Sequence, residues 1–182
     1  MQDAFKTVEA SQVTITELML PSHSNFSGKI HGGYILSLMD QIAFACASKH
    51  SGFYCVTASV HKVDFLNSID VGELVTLKAS VNYVGNSSMV IGIRVESENI
   101  RDQYVKHCNS SYFTMVARDE NGKSVPIPGL ILDSEAKIRR FLRSIKRQEE
   151  TKIRQEKFKA AKFDVNEAEL QILNKYKVKI EL

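Results

Sequence analysis

The sequence contains no tryptophan, only three prolines and three cysteines, and no long uninterrupted apolar run. A membrane-spanning helix needs about 18 to 20 consecutive apolar residues, so the sequence predicts no such helix and no membrane partner. The N-terminal segment has neither the basic nor the apolar region of a secretory leader. Three widely spaced cysteines, Cys46, Cys55 and Cys108, match neither a disulfide framework nor a zinc knuckle. We therefore expect reduced, buried thiols, no metal site and a cytoplasmic protein.

The 182 residues are 43% hydrophobic and 25% charged, as in a globular protein with a packed core. Charge is distributed unevenly along the chain. Residues 1–130 carry 10 basic and 12 acidic side chains, whereas residues 131–182 carry 14 basic and 9 acidic ones. Acidic residues are interspersed among the basic ones there, and aromatic residues are few. This mixture favours a solvated helix over a nucleic-acid-binding surface, so we expect no nucleic-acid partner.

Hydrophobic periodicity divides the chain into a helix and a set of strands. Apolar and polar residues alternate over 13–20, which predicts a first strand. After a polar loop, apolar residues recur at helical spacing over 34–50, which predicts a helix that ends at Gly52. Apolar residues cover most of this helix, which predicts that it is buried. The period then changes to two, which predicts strands over 56–65, 74–84, 88–98 and 104–117.

The connections between these strands are too short for parallel crossovers, so the predicted sheet is antiparallel. A long apolar helix is buried most simply when such a sheet wraps around it. The predicted fold class is therefore α+β, with the outline of a hotdog fold, over residues 10–130. Asp133 or Ser134 can cap a further helix. We expect residues 131–182 to form a charged helical extension.

Residues 25–40 combine groups that suit a carbonyl-binding site. Gly32 and Gly33 open the predicted helix, where free backbone N–H groups and the helix dipole can hold a developing oxyanion. Asp40 lies further along, at the border of the polar and apolar faces, where partial desolvation makes a carboxylate a better base. Asn25 precedes the helix. A turn, a solvated helix position and a loop cap are the structural alternatives for these residues.

An ordered set of motifs resembles the hotdog acyl-CoA thioesterases of the cytosolic (brain-type) acyl-CoA hydrolase family. It comprises N-x-x-G-x-x-H-G-G at 25–33, Asp40, and the segments 56–60, 63–65, 85–89 and 126–128. The resemblance extends over residues 18–142 and implies hydrolysis of acyl-CoA to a fatty acid and CoA. It implies no cofactor other than the CoA of the substrate. A non-catalytic acyl-CoA-binding protein and an enoyl-thioester hydratase are the alternatives, although the His-carboxylate pair of a hydratase is not evident.

The resemblance also implies roles for individual residues. In the tandem members of the family the catalytic Asn and Asp come from different hotdog domains, which implies a homodimer in which Asn25 meets the partner's Asp40, and three such dimers in a hexamer. Asp40 would activate water or attack the carbonyl itself, Asn25 would orient the nucleophile or stabilise the intermediate, and the Gly33 amide would polarise the carbonyl oxygen. Five residues are expected to contact CoA: Val56, Thr57, Ala58, Ser87 and Ser88.

Overall fold

The computed structural model describes residues 4–161, 165–173 and 175–181. Its elements in chain order are β1 (Phe5–Thr7), α1 (Val8–Ser11), β2 (Val13–Leu18), α2 (Gly32–Ser51), β3 (Tyr54–Val60), β4 (Leu74–Val84), β5 (Ser88–Asn99), β6 (Tyr104–Arg118), β7 (Gly129–Ile131), α3 (Glu135–Ala160) and α4 (Glu167–Leu173). The chain divides into two compact units, Met1–Ile145 and Lys146–Leu182. The first unit contains the sheet and α2.

Five strands form an antiparallel sheet in the order β2-β4-β5-β6-β3. The last of these, β3, is an edge strand that pairs with β6 and not with β4, the next strand along the chain. Register shifts interrupt three of the ladders, between Thr57 and Ser59, between Val81 and Tyr83, and between Val95 and Glu96. Such bulges increase the local twist, which helps the sheet to curve around a helix.

Helix α2 packs on one face of the sheet, the inner face, and contacts all five strands. Its apolar side chains join the inner-face residues of β4, β5 and β6 in a single core. His31 caps the start of the helix, and Gly52, with a φ of 76°, ends it in the left-handed conformation that glycine adopts most readily. The five apolar positions expected to line the helix are all buried: Ile35, Leu38, Met39, Ile42 and Cys46. The hotdog fold predicted from the sequence is therefore confirmed.

One narrow stripe of α2 is exposed, which agrees with the expectation of a helix that is apolar over most, but not all, of its circumference. It contains Ser37, Asp40, Gln41 and Phe44, and Phe44 is 38% exposed. Among the described residues, Thr57 and Tyr54 of β3 contact Asp40 and Phe44 from one side, and the stripe is otherwise open. The open side of α2 lies beside β3, an edge strand that pairs on one side only, and together they form a surface that a second molecule could cover.

Strand β3 ends at Val60 and not at residue 65, so the predicted strand was too long. One more backbone bond follows Val60, from His61 N to the Tyr112 carbonyl at 2.9 Å. The Ser111 hydroxyl then lies 3.3 Å from the carbonyls of both His61 and Lys62, where it takes the place of the regular ladder. The next backbone bond to β6 runs from Leu66 N to the Cys108 carbonyl at 2.9 Å. A side chain that bonds to the backbone in this way competes with strand pairing.

Two short strands were not predicted at all. Phe5–Thr7 pairs in parallel with Gly129–Ile131, and Phe5 lies opposite Gly129. A Cβ on Gly129 would lie 2.4 Å from the Phe5 ring, so the strands fit together only because Gly129 has no side chain. The pairing joins residues more than a hundred positions apart, which no local pattern indicates.

The extension begins with a helix, as predicted. Ser134 Oγ accepts from Lys137 N at 3.4 Å at the start of α3, and α4 follows further along. Weak periodicity was also predicted for 164–182, but residues 164, 174 and 182 lie outside the described residues. All three cysteines are free and buried, as expected. None of the helices in the described part of the chain is both long and apolar enough to cross a membrane.

Candidate active site

Asp40 and Thr57 meet where α2 passes the edge strand β3. Thr57 Oγ1 donates to Asp40 Oδ1 at 2.6 Å and also lies 3.5 Å from Met115 Sδ. The bond holds one carboxylate oxygen, and the other, Oδ2, has no hydrogen-bond partner among the described residues, so it can contact a substrate or a water molecule. Asp40 is exposed in this single chain, so the partly desolvated position expected for it is not provided by one chain alone.

Asn25 organises the loop that leads into α2. Its Oδ1 accepts from Ser27 N at 2.9 Å, Ser27 Oγ at 2.7 Å and Lys29 N at 3.2 Å, and its backbone N donates to the Lys29 carbonyl at 2.7 Å. Asn25 therefore acts as a loop cap, the structural alternative to a catalytic role that the sequence left open. Its Nδ2 has no acceptor among the residues that the structure describes. The oxygen therefore fixes the side chain while the N–H groups remain available as donors.

The Gly33 amide is not free, contrary to the expectation from sequence. It donates to His31 Nδ1 at 3.0 Å, so the His31 side chain occupies the first turn of α2. The imidazole must rotate away before this amide can polarise a carbonyl oxygen. A Cβ on Gly32 would lie 3.2 Å from the Phe65 ring, so a side chain at this position would require that half-exposed ring to shift by a few tenths of an ångström.

The residues expected to contact CoA do not all lie together. Ser88 and Val56 both pair with Val116, one from each side, so they are two strands apart, or about 10 Å. Alternation places both side chains on the outer face of the sheet, since their neighbours Met89 and Cys55 belong to the core. Thr57 instead contacts α2, and the register shift of β3 falls at Ala58. Ser87 lies in the turn before β5, where its carbonyl accepts from Ala117 N.

Large apolar side chains are exposed on the same elements that carry Asp40 and Thr57. Phe44 of α2 contacts Tyr54 of β3, with ring centroids 5.4 Å apart, and Tyr54 is 65% exposed. Phe26, next to Asn25, is fully exposed, and Phe65 is about half exposed. Exposed aromatic residues beside an unpaired edge strand are typical of a protein-protein contact.

Glu73, a buried charged residue near the Asn25 loop, was not predicted as a functional residue from the sequence. Glu73 is only 2% exposed, and it precedes the inner-face positions Val75 and Leu77 at intervals of two. That spacing was a usable signal, because it places an acidic side chain on the packed face of a strand. The described residues contain no cluster of three His, Cys, Asp or Glu side chains that could hold a metal ion.

Comparisons with known proteins identify the family. The thioesterase superfamily profile matches residues 27–103, and the VdlD protein of Helicobacter pylori is 42% identical over 79% of this chain and 82% of its own length. A solved hexameric acyl-CoA thioesterase in its apo form is 37% identical, with a TM-score of 0.80, over 82% of this chain and 96% of the other. The chain belongs to the thioesterase superfamily. Within this superfamily its relatives include enzymes named for acyl-CoA hydrolysis.

Two of these thioesterases are especially informative. The acyl-CoA hydrolase of Staphylococcus aureus, solved with butyryl-CoA, CoA and CoA disulfide, is 29% identical, with a TM-score of 0.78, over 85% of this chain and 94% of the other. Alanine variants of that hydrolase at one aspartate, one asparagine and one threonine have also been solved. The human cytosolic acyl-CoA thioester hydrolase is 33% identical over 74% of this chain, which spans 36% of its length.

Proposed function

We propose that this thioesterase hydrolyses acyl-CoA to a fatty acid and free CoA, at a site that contains Asp40, Thr57, Asn25 and Gly33. The observation that carries the proposal is the 2.6 Å bond from Thr57 Oγ1 to Asp40 Oδ1, which orients a carboxylate at the open edge of the sheet. The named activities of the relatives from Staphylococcus aureus and human support the same reaction.

The spacing of three residues supports this assignment. The asparagine, aspartate and threonine replaced in the variants of the Staphylococcus aureus hydrolase are separated by 15 and 17 positions in its own numbering. Asn25, Asp40 and Thr57 are also separated by 15 and 17 positions. Two of these residues form a hydrogen bond here, and the third caps the loop before the helix that carries Asp40. We therefore assign the corresponding functional roles to these three side chains.

The reaction adds water across the thioester carbon-sulfur bond. Asp40 either accepts a proton from the attacking water or attacks the carbonyl carbon itself, and Thr57 holds the carboxylate in the orientation for either step. Asn25 Nδ2–H and, after His31 rotates, Gly33 N–H donate to the carbonyl oxygen as negative charge develops on it. The carbon-sulfur bond then breaks, and CoA leaves as a thiolate that takes up a proton. Where Asp40 is the nucleophile, the acyl group is left on its carboxylate as a mixed anhydride, and water then hydrolyses this anhydride to release the fatty acid.

The proposed substrate position follows β3. Pantetheine lies along the exposed edge at residues 56–58, so its thioester reaches the Asp40–Thr57 pair. Ser87 and Ser88 contact a more distant part of CoA, because Ser88 is two strands away from β3. No further cofactor enters this scheme, since water and the thioester are its only reactants.

We propose further that the site is complete only in a homodimer, in which Asn25 and Gly33 of one chain face Asp40 and Thr57 of the other, and that three dimers form a hexamer. The exposed stripe of α2 and the unpaired edge of β3 support this dimer, since a second copy would cover both and exclude water from Asp40. The hexameric relative supports the larger assembly. We place the chain in the cytosol with the brain-type hydrolases, on its similarity to the human cytosolic enzyme.

Mixing two inactive variants tests the shared site. Asp40→Asn and Asn25→Ala should each lose most CoA release while they keep the oligomer. After subunit exchange, about one quarter of wild-type activity should return, because half of the randomly paired dimers are mixed and each mixed dimer has one complete site of two. Native mass spectrometry verifies the exchange. Verified mixed dimers without any recovery would contradict the shared site.

A thiol-release assay on the wild-type protein separates hydrolysis from simple binding. A protein that only binds acyl-CoA would show a higher melting temperature with the ligand but would release no CoA. The hydrolase should release one CoA for each acyl-CoA consumed. The background should be low, because the three cysteines of the protein are buried.

A further inference from the structure

The loop that carries Asn25 is held by Lys29. Lys29 contributes the backbone N–H that reaches Asn25 Oδ1 at 3.2 Å and the carbonyl that accepts from Asn25 N at 2.7 Å. Its own side chain is held by Asp70, since Lys29 Nζ lies 2.5 Å from Asp70 Oδ1 and the two residues also form a backbone bridge. The position of Asn25 therefore depends on the turn that contains Asp70.

That turn is held in place by a buried carboxylate. Glu73 Oε2 accepts from Asp70 N at 3.1 Å and from Ser97 Oγ at 2.5 Å, and Glu73 Oε1 accepts from Lys106 Nζ at 2.7 Å. The side chain of Glu73 is 3% exposed and that of Lys106 is 18% exposed. All the donors aimed at this carboxylate come from inside the protein, so its geometry is closely defined.

Lys106 strengthens the same connection. Burial by itself lowers the pKa of its ammonium group, but the hydrogen bond and charge of Glu73 outweigh burial and raise that pKa above its ordinary value. Lys106 Nζ also lies 3.9 Å from Asp70 Oδ2. The lysine thus stays charged and attracts both carboxylates, Glu73 and Asp70, toward one point.

The backbone around Glu73 does not need this carboxylate. Met19 N donates to the Glu73 carbonyl at 2.9 Å, and Gly72 N donates to the Met19 carbonyl at 2.8 Å. These bonds hold the start of β4 whatever side chain stands at position 73. The carboxylate instead accepts hydrogen bonds from Asp70, Ser97 and Lys106. Asp70 in turn contacts Lys29, which bonds to Asn25, so Glu73 is connected to the Asn25 loop through these two residues.

We infer that Glu73 is a positioning residue for Asn25, acting through Asp70 and Lys29. This inference rests on the proposed function of Asn25. Glu73 lies on the packed face of the sheet and makes no contact with Asp40 or Thr57 in this chain. Its loss should therefore affect the step that uses Asn25 and leave the Asp40–Thr57 pair intact.

A double-mutant cycle tests the inference. Glu73→Gln keeps the size of the side chain and removes its charge. In the wild-type background it should lower kcat by about three- to tenfold with little change in KM, and in the Asn25→Ala background it should lower the residual kcat by less than about twofold. Glu96→Gln is the matched control, because Glu96 also accepts from two cations, Lys78 and Arg94, but lies outside this network. It should leave kcat unchanged.

A second variant covers the case in which Glu73→Gln does not fold, and a second readout covers the case in which the residual activity of Asn25→Ala is too low to measure. Asp70→Asn changes a partly exposed side chain, so it should fold even if Glu73→Gln does not, and it should show the same pattern. Hydrogen exchange of the peptide that spans residues 25–30 should become faster in Glu73→Gln and in Asp70→Asn but not in Glu96→Gln.

Three results would overturn the inference: equal losses of kcat in both backgrounds, unchanged kcat in both network variants, or unchanged exchange of the loop. Equal losses would indicate a general structural role for Glu73. Wild-type activity of Asn25→Ala would have a different meaning, because it would refute the proposed role of Asn25 itself and leave Glu73 with nothing to position.

Discussion

Replacing Thr57 with valine removes one hydroxyl group from the candidate site and little else. Valine has nearly the same shape and is also branched at Cβ, so β3 should keep its conformation. The change deletes the 2.6 Å bond to Asp40 Oδ1. A hydrogen bond to a charged group is worth about 1.5 to 3 kcal/mol, so kcat/KM should fall by about 10- to 150-fold if the bond persists in the transition state.

The assay is the rate of thiol release from a medium- or long-chain acyl-CoA, with the melting temperature measured on the same samples. Thr76→Val is the matched control, because the Thr76 hydroxyl bonds to the Thr16 hydroxyl at 2.9 Å between β2 and β4, at the other edge of the sheet. It should leave kcat/KM unchanged. Our assignment of Thr57 would be refuted if Thr57→Val, with an unchanged melting temperature, stayed within about twofold of wild type.

Three further predictions concern the interior of the protein. Burial raises the pKa of Cys46 to about 12 and that of Cys108 to about 11, so a thiol reagent at pH 8 should label neither in the native state and both in denaturant. Equal rates of labelling in the native state and in denaturant would contradict the burial of these two thiols. Burial lowers the pKa of His50 below its ordinary value of 6.5, so the stability that its neutral form supports should be lost as the pH falls below about 6.5. Denaturant unfolding should show that the free energy of unfolding decreases less between pH 7.5 and pH 5 in His50→Gln than in the wild type. Equal decreases in the two proteins would exclude this role of His50. A Cβ on Gly92 would lie 2.1 Å from Asn82 Nδ2, so Gly92→Ala should reduce the free energy of unfolding by about 1 to 3 kcal/mol. Asn82→Ala in the same chain should recover most of that loss, and an equal loss in the double variant would contradict the steric explanation.

The elements that the sequence predicted well are those with a strong local period. Helix α2 was expected at 34–50 and lies at Gly32–Ser51, and β4 has the predicted bounds. In these segments the apolar spacing matches the repeat of the element, so each residue is sorted between core and solvent by its own neighbours along the chain. The end of β3 could not be found in this way, because Ser111, about fifty positions later, takes the place of the ladder.

The sequence by itself determined the helix, the main strands and the family motif that contains Asn25, Gly33 and Asp40. Only the tertiary structure decided which groups these residues contact. The Thr57 hydroxyl bonds to Asp40, the His31 ring accepts from the Gly33 amide, and the buried Glu73 is connected to the Asn25 loop through Asp70 and Lys29. Periodicity depends on neighbours a few positions apart, whereas these contacts join segments that are brought together only when the sheet curves around α2. Their geometry is set by bulges, strand order and packing, which no single stretch of sequence encodes.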